Sequence, residues 1–202
     1  MGLADSPERV ITADALREVF GVRAVVGTDP VTGAVSVTPV LREEAVVGEM
    51  RGRVMVIGGS GVAAPLMRRL TLEGWQVSSG ALNIGDADQV MAEALRAEYA
   101  EIPPFAPMDS EAGIIAAKLA EAADAIVVCE VPFGRGNVDN LLVAVHSGKP
   151  LVLVGEIAGR DFAGGAAASY WAEALAAGAV RVDDAEGVER ALAEMLAGAG
   201  MA

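Results

Sequence analysis

Two glycine-rich segments carry the residue types best suited to ligand binding. The first follows the apolar run 54–57 and consists of four small residues: Gly58, Gly59, Ser60 and Gly61. Glycines let backbone N–H groups approach an anion closely, and the positive end of a following helix adds to the attraction. The segment therefore predicts a ligand-binding turn from a strand into a helix. The alternative is a tight turn that needs glycine and binds nothing.

The second segment follows the predicted strand 125–131 and places one cation, Arg135, between two glycines. A guanidinium suits bidentate recognition of phosphate or carboxylate. In an open α/β sheet, ligands bind at the carboxyl ends of strands where the strand order reverses. If the two strands are neighbours, the segments face each other across one crevice, although a purely structural turn is again the alternative. The candidate ligand contacts here are Pro132, Gly134, Arg135, Gly136, Asn137 and Asn140.

Three further polar residues follow predicted strands. Asn83 and Asp86 come after the second strand and could hydrogen-bond a ligand hydroxyl, but capping of the next helix is the stronger expectation for Asp86. Glu156 follows the strand 151–154 at the same sheet edge, where a solvated loop acid is an equal alternative.

Common catalytic and metal-binding patterns are missing from the sequence. The single histidine, His146, supports no Ser-His-Asp arrangement, and one histidine with one cysteine cannot build a common zinc site. No Gly-x-x-x-x-Gly-Lys-Ser/Thr or Gly-x-Gly-x-x-Gly motif occurs, which disfavours an ATPase of the P-loop class and a Rossmann dehydrogenase. We therefore predict no catalytic residue and no metal, and the cofactor stays open between a nucleotide and a corrinoid.

Composition excludes further classes of protein. The chain has 202 residues, 53% of them hydrophobic, and a net charge of -13. The hydrophobic fraction supports a packed core, and the negative charge disfavours binding to nucleic acid. Apolar runs are strand-sized, so no membrane insertion is expected. The lone Cys129 and the absence of a secretory signal indicate a cytoplasmic protein.

Strand and helix patterns alternate from residue 51 onward, which predicts an α/β fold with a doubly wound, mostly parallel, Rossmann-like sheet of five or six strands. The spacing of apolar residues predicts the buried face of two helices. These faces consist of Val90, Met91, Ala94 and Leu95 in the first helix and of Ile114, Ile115 and Leu119 in the second. Ser110 is expected to open the second of these helices. The predicted strands are 54–57, 76–82, 101–105, 125–131, 151–154 and 180–182.

Residues 1–50 have a different pattern, a helix at 13–20 capped by Thr12 and a hairpin of strands 22–26 and 35–40. The prediction is thus an N-terminal helix-plus-hairpin appendage, residues 1–50, and a Rossmann-like domain, residues 51–202. Residues 7–40 resemble the tail of the ATPase subunit of ABC importers for cobalamin, haem and iron-siderophores, in both the helix and the Asp29-Pro30-Val31-Thr32-Gly33 hairpin. This resemblance implies an ABC transporter ATPase and permease as partners.

The domain from Arg53 onward resembles the extra C-terminal domain of some of these ATPases. It is more distantly similar to the lysine-decarboxylase-like, or cytokinin-activating, superfamily, which has a Gly-Gly-Ser-Gly-like first loop and a Pro-Gly-Gly-x-Gly-Thr-x-x-Glu second loop. Asn140 stands where the catalytic glutamate of that loop would be. The resemblance therefore implies binding of a phosphorylated nucleoside without its hydrolysis.

The hypothesis is a non-catalytic accessory domain, homodimeric in its importer, that binds a small molecule, either a nucleotide or a corrinoid-related metabolite. Arg135 would hold an anionic group, and Asn137 and Asn140 would bond sugar or base. Two alternatives stay open. One is a nucleoside-monophosphate phosphoribohydrolase-like enzyme that uses Asp139 or Glu156, and the other is a structural dimerisation module.

Overall fold

The computed structural model describes residues 10–20, 24–29, 33–39, 50–104 and 106–199. The chain divides into two compact units, Met1–Val47 and Gly48–Ala202. The larger unit contains both glycine-rich segments.

The smaller unit contains a helix and an antiparallel hairpin. Helix α1 spans Ala13–Phe20, and the N–H of Ala15 donates to Oγ1 of Thr12 (3.1 Å), which confirms the predicted cap. Strand β1 spans Ala24–Thr28 and pairs with β2, Val35–Pro39. The central residues of the predicted turn, 30–32, lie outside the described residues.

The larger unit is built on a sheet of six strands, all of them parallel. The strand order is β5-β4-β3-β6-β7-β8, in which the chain runs outward from β3 in one direction and then outward from β6 in the other. This arrangement confirms the predicted Rossmann-like α/β fold. The strands are β3 Gly52–Ile57, β4 Trp75–Asn83, β5 Glu98–Ile102, β6 Ala125–Val128, β7 Leu151–Val154 and β8 Val180–Val182.

Helices connect successive strands and cover the sheet. Strands β6 and β7 are buried at every position, as expected when helices cover both faces of a parallel sheet. Among the described residues, no helix has the length and apolarity needed to cross a membrane. The helices are α2 Ala64–Leu72, α3 Ala87–Leu95, α4 Ser110–Ala122, α5 Val138–His146, α6 Ala166–Ala176 and α7 Ala185–Ala199.

Two helices bury some residues other than those predicted, although Met91, Leu95 and Leu119 pack against the core as expected. In α3 the buried residues are Asp88, Gln89 and Ala92, while Val90 is exposed. In α4 the buried side chains are three alanines, Ala112, Ala116 and Ala120, and both Ile114 and Ile115 face solvent. Small side chains let a helix lie close to the sheet, so alanines occupy the buried face. A prediction from hydrophobicity alone places the isoleucines there.

Strand boundaries also differ, and β6, for example, ends at Val128 and not at residue 131. Strand β5 begins at Glu98, before the predicted start at residue 101, and it ends at Ile102 because Pro103 cannot donate to a strand ladder. Helix α4 begins at Ser110, as predicted, and is capped by Asp109, whose carboxylate accepts from the N–H of Ala112 (2.8 Å).

Candidate functional site

The two glycine-rich segments lie next to each other because their strands are neighbours. Val56 of β3 pairs with Val127 of β6, and the strand order reverses between these two strands. A crevice of about 230 Å³ opens at their carboxyl ends. Ligand pockets commonly enclose about 300–1,000 Å³, so this crevice fits a small molecule or one part of a larger one. Its lining is Gly58, Gly59, Ser60, Ala81, Leu82, Asn83, Asp86, Ala106, Gly136 and Asn137.

The backbone N–H groups of the first glycine-rich segment already have acceptors within the chain. The N–H of Gly59 donates to Oδ2 of Asp88 (2.6 Å), and the N–H of Ser60 donates to Oδ2 of Asp86 (2.7 Å). The N–H of Gly61 donates to the other oxygen of Asp86 (3.3 Å). Two carboxylates from the start of α3 therefore occupy the position where this type of turn would hold a ligand's anion.

Asp88 is the deeper of these two carboxylates. It is fully buried, and its Oδ1 accepts from the N–H of Ala64 (2.7 Å) in the first turn of α2. Burial raises the pKa of the Asp88 carboxyl, while the N–H groups of Ala63, Gly59 and Ala64 lower it. The nearby charge of Asp86 raises the pKa further. The carboxylate of Asp88 thus lies at the positive, N-terminal end of the α2 helix dipole.

Local geometry explains why this turn needs its particular residues. A Cβ on Gly58 would lie 2.2 Å from Cβ of Ala63 and 2.7 Å from Oδ2 of Asp88, so only glycine fits there. Ser60 has φ of 58°, an uncommon conformation for a residue with a side chain, and its N–H bonds Asp86. Asp86 also caps α3, accepting from the N–H of Asp88 (2.8 Å), as predicted.

The wall opposite the glycine-rich turn contributes another acceptor. Oδ1 of Asn83 is buried and has no hydrogen-bond partner among the described residues. The described residues that line the crevice include no arginine, lysine or histidine. The crevice is therefore rich in acceptors and negatively charged.

The second glycine-rich segment is fixed by its own hydrogen bonds and by a neighbouring loop. Asn137 accepts from the N–H of Gly134 (2.7 Å) and donates through Nδ2 to the carbonyl of Pro132 (2.9 Å). Buried Phe133 forms a parallel bridge with Asp161, and its N–H donates to the carbonyl of Arg160 (2.8 Å). Asn137 thus lines the crevice while its amide holds the turn together.

Asn140 has a different role from the expected contact with sugar or base. Its side chain is 2% exposed and bonds both backbone groups of Ala81, accepting from the N–H (2.7 Å) and donating to the carbonyl (2.9 Å). A Cβ on Gly80 would lie only 2.5 Å from Oδ1 of Asn140. Asn140 therefore joins α5 to β4, and neither end of its amide is free for a ligand.

Several other predicted residues lie outside the lining of the crevice. Arg135 is exposed and makes no ion pair with any described residue, so its guanidinium is available to an anion. Glu156 pairs with Arg181 of β8 (2.8 Å), on the side of the sheet away from β4. The remaining predicted residues that do not line the crevice are Gly61, Pro132 and Gly134.

The described residues contain no group of three or more His, Cys, Asp and Glu side chains that could hold a metal ion. A phosphate does not fit the first glycine-rich turn, because the N–H groups that would bind it are bonded to Asp86 and Asp88. A whole corrinoid ring does not fit either, since about 230 Å³ can enclose only part of one.

Sequence reasoning missed Asp88, whose carboxylate supports the turn. The available signal was the spacing of Asp86 and Asp88 at the start of a helix that follows a glycine-rich turn. Acidic residues there are usually explained by helix capping alone.

Comparison with known proteins places the chain in a family. The sequence model of the MJ0874 family matches residues 77–188, more than half of the chain. The chain belongs to the MJ0874 family. The matched segment begins in β4 and ends in α7, so it includes Asn83, Asp86 and the second glycine-rich segment, but not the first.

This MJ0874-family chain is also related to part of an ABC importer ATP-binding protein. The cobalamin import ATP-binding protein BtuD, from two strains of Halobacterium salinarum, is 34% identical over 175 residues. The match covers 86% of this chain and 41% of the relative. The chain thus spans about two-fifths of the length of these curated relatives.

Solved structures resemble the MJ0874-family chain only loosely. DNA processing protein A from Helicobacter pylori matches 78% of this chain and 85% of its own, with 12% identity and a TM-score of 0.47. YcaC from Pseudomonas aeruginosa matches 73% of this chain and 83% of its own, with 16% identity and a TM-score of 0.44. At this level of similarity neither protein indicates a ligand or a reaction.

Proposed function

We propose that this chain is a non-catalytic, ligand-binding accessory region of a cobalamin- or iron-chelate-type ABC importer ATPase. The observation that carries the proposal is the 34% identity to a cobalamin import ATP-binding protein across 86% of this chain. Residues 1–50 would correspond to the tail of the ATPase, and residues 51–202 to a sensing domain on the cytoplasmic side of the transporter.

The ligand would bind in the crevice between the two glycine-rich segments. Ligands of open α/β sheets bind where the strand order reverses, and the crevice lies at that point. A nucleotide or a corrinoid-related metabolite would enter by one part only, with Asn83, Asp86 and Gly136 around it and exposed Arg135 near any anionic group outside. Binding would then bias the activity of the importer.

A thermal-shift screen of the purified chain tests the binding half of the proposal. The probes are ATP, AMP, adenosine, cobalamin, cobinamide, haem and ferric siderophores. A ligand at 100 times its Kd stabilises a protein by about 2.7 kcal/mol, which raises Tm by several degrees in a domain of this size. We expect at least one compound to raise Tm.

A matched pair of variants then locates the site. Gly136→Val should abolish the shift, because Gly136 lines the crevice and a Cβ there meets only the carbonyl of Ala106, at 3.5 Å. Gly113→Val, on α4 where a Cβ meets nothing within 4 Å, should keep the shift. No shift with any probe, or equal shifts in both variants, would argue against ligand binding in the crevice.

Association with the importer needs a separate measurement. The chain should co-purify with the ATP-hydrolysing and permease subunits of the importer from the same source when the three are expressed together. Failure to co-purify, together with an unchanged ATPase rate on adding the chain, would refute the accessory role.

A further inference from the structure

The crevice has hydrogen-bond acceptors on two sides and no basic side chain among its described lining residues. Asp86 stands beside the glycine-rich turn, and Asn83 contributes a buried oxygen that lacks a partner. The carbonyl and amide of Asn137 are both used within its own turn. The oxygens of Asp86 and Asn83 therefore offer acceptors to a ligand group that carries donors.

From this we infer that the crevice binds a ligand group that is uncharged or cationic and carries hydrogen-bond donors, such as a hydroxyl, an amide or an amine, and that it rejects phosphate. The inference rests on the proposed function, because it names the chemistry of the same site.

Charge and hydrogen bonding both exclude phosphate from the glycine-rich turn. The N–H groups of Gly59, Ser60 and Gly61 donate to Asp86 and Asp88, so a phosphate would find no free donor there. It would also meet the carboxylate of Asp86, which lines the crevice, and like charges repel strongly where little water screens them. The same carboxylate favours a cationic or hydroxyl-bearing group.

The free lone pairs of Asp86 and Asn83 supply the positive part of the argument. Oδ2 of Asp86 accepts one described hydrogen bond, from Ser60, and can accept another from a ligand. Oδ1 of Asn83 accepts none from the described residues, and an unpaired buried acceptor gains most from a new donor.

Matched probe pairs that differ by a phosphate test the inference by isothermal titration calorimetry. The pairs are adenosine with AMP, and ethanolamine with phosphoethanolamine. The full chain carries Arg135→Ala, so that this exposed guanidinium cannot compensate for repulsion in the crevice. We expect at least one unphosphorylated probe to bind at least tenfold more tightly than its phosphorylated partner.

A gain-of-function variant supplies the second measurement. Asp86→Ser keeps a good N-cap for α3 but removes the carboxylate from Ser60 and Gly61. This variant should bind the unphosphorylated probe at least fivefold more weakly. It should also bind inorganic phosphate, which would be seen as NMR shifts of the amides of residues 59–61. Asp184→Ser is the control, because Asp184 caps α7 in the same way at the opposite end of the sheet.

Tighter binding of the phosphorylated probes would overturn the inference and leave the proposed function intact. The same holds if inorganic phosphate shifts those amides in the unmodified chain. If neither member of either pair binds, the inference fails. The proposed function then fails only if the wider thermal-shift screen is also negative.

Discussion

The contact between Gly80 and Asn140 predicts a strong coupling between two substitutions. In Gly80→Ala, the new Cβ would lie 2.5 Å from Oδ1 and 3.1 Å from Cγ of Asn140, whose side chain is only 2% exposed. If Asn140 stays in place, overpacking costs about 1–3 kcal/mol. If Asn140 rotates away, it leaves the buried N–H and carbonyl of Ala81 without partners, at about 1–3 kcal/mol each.

We therefore expect Gly80→Ala to lower the free energy of unfolding by about 2–4 kcal/mol. Asn140→Ala should cost a similar amount, because it removes both bonds to Ala81. Once Asn140 is shortened, the added methyl group on Gly80 has space, and its further cost should be below about 1 kcal/mol. The two substitutions should thus show a coupling energy of about 1–3 kcal/mol.

Urea unfolding followed by far-UV circular dichroism measures the four free energies of this cycle. Gly113→Ala is the matched control. It lies in a helix with nothing within 4 Å of a Cβ, and it should stabilise the chain by about 0.5–1 kcal/mol. If the losses of the two single variants add up to the loss of the double variant within about 0.5 kcal/mol, the contact is not the source of the destabilisation.

Three further predictions concern titratable side chains. Burial raises the pKa of Cys129 to about 12, so at pH 8 about one thiol in ten thousand is ionised, and labelling by a disulfide reagent should proceed only as fast as the chain opens. Rapid labelling of the native chain would contradict that burial. Hydrogen bonds from backbone N–H groups lower the pKa of Asp161, so its contribution to stability is present above a pH of about 4 and is lost as the pH falls further. Asp161→Asn should flatten urea midpoints measured between pH 2 and 5, and an unchanged pH profile would show that these bonds contribute nothing. Glu156→Gln should change the free energy of unfolding by less than about 1 kcal/mol, because the pair with Arg181 is exposed, and calorimetry should find ligand binding unchanged.

The sheet and its crevice were predictable from sequence because their signals are local. An apolar run of strand length precedes each glycine-rich segment, and that pattern predicted both segments and their place at the carboxyl ends of strands. The two segments face each other only if the strands that precede them are neighbours, and the usual Rossmann strand order makes them neighbours.

The side-chain roles were not predictable, because they depend on partners far along the chain. Asn140 bonds Ala81, 59 residues earlier, and nothing near Asn140 in sequence indicates that contact. Asp88 faces the core because Gly59 and Ala64 donate to it, so the buried face of α3 is set by hydrogen bonds and not by apolar spacing. In α4, close packing selects alanine over the more hydrophobic Ile114.

The internal carboxylates at the glycine-rich turn also affect how the backbone opens when no ligand is bound. The amides of Gly59 and Ser60 are already hydrogen-bonded, so they should exchange their hydrogens slowly with solvent before any ligand is added. A turn that depends on its ligand for these bonds opens, and becomes a site of proteolytic cleavage, each time the ligand leaves. The turn of this chain keeps these bonds whether or not the proposed ligand is bound, which would suit a protein that passes repeatedly between empty and occupied forms.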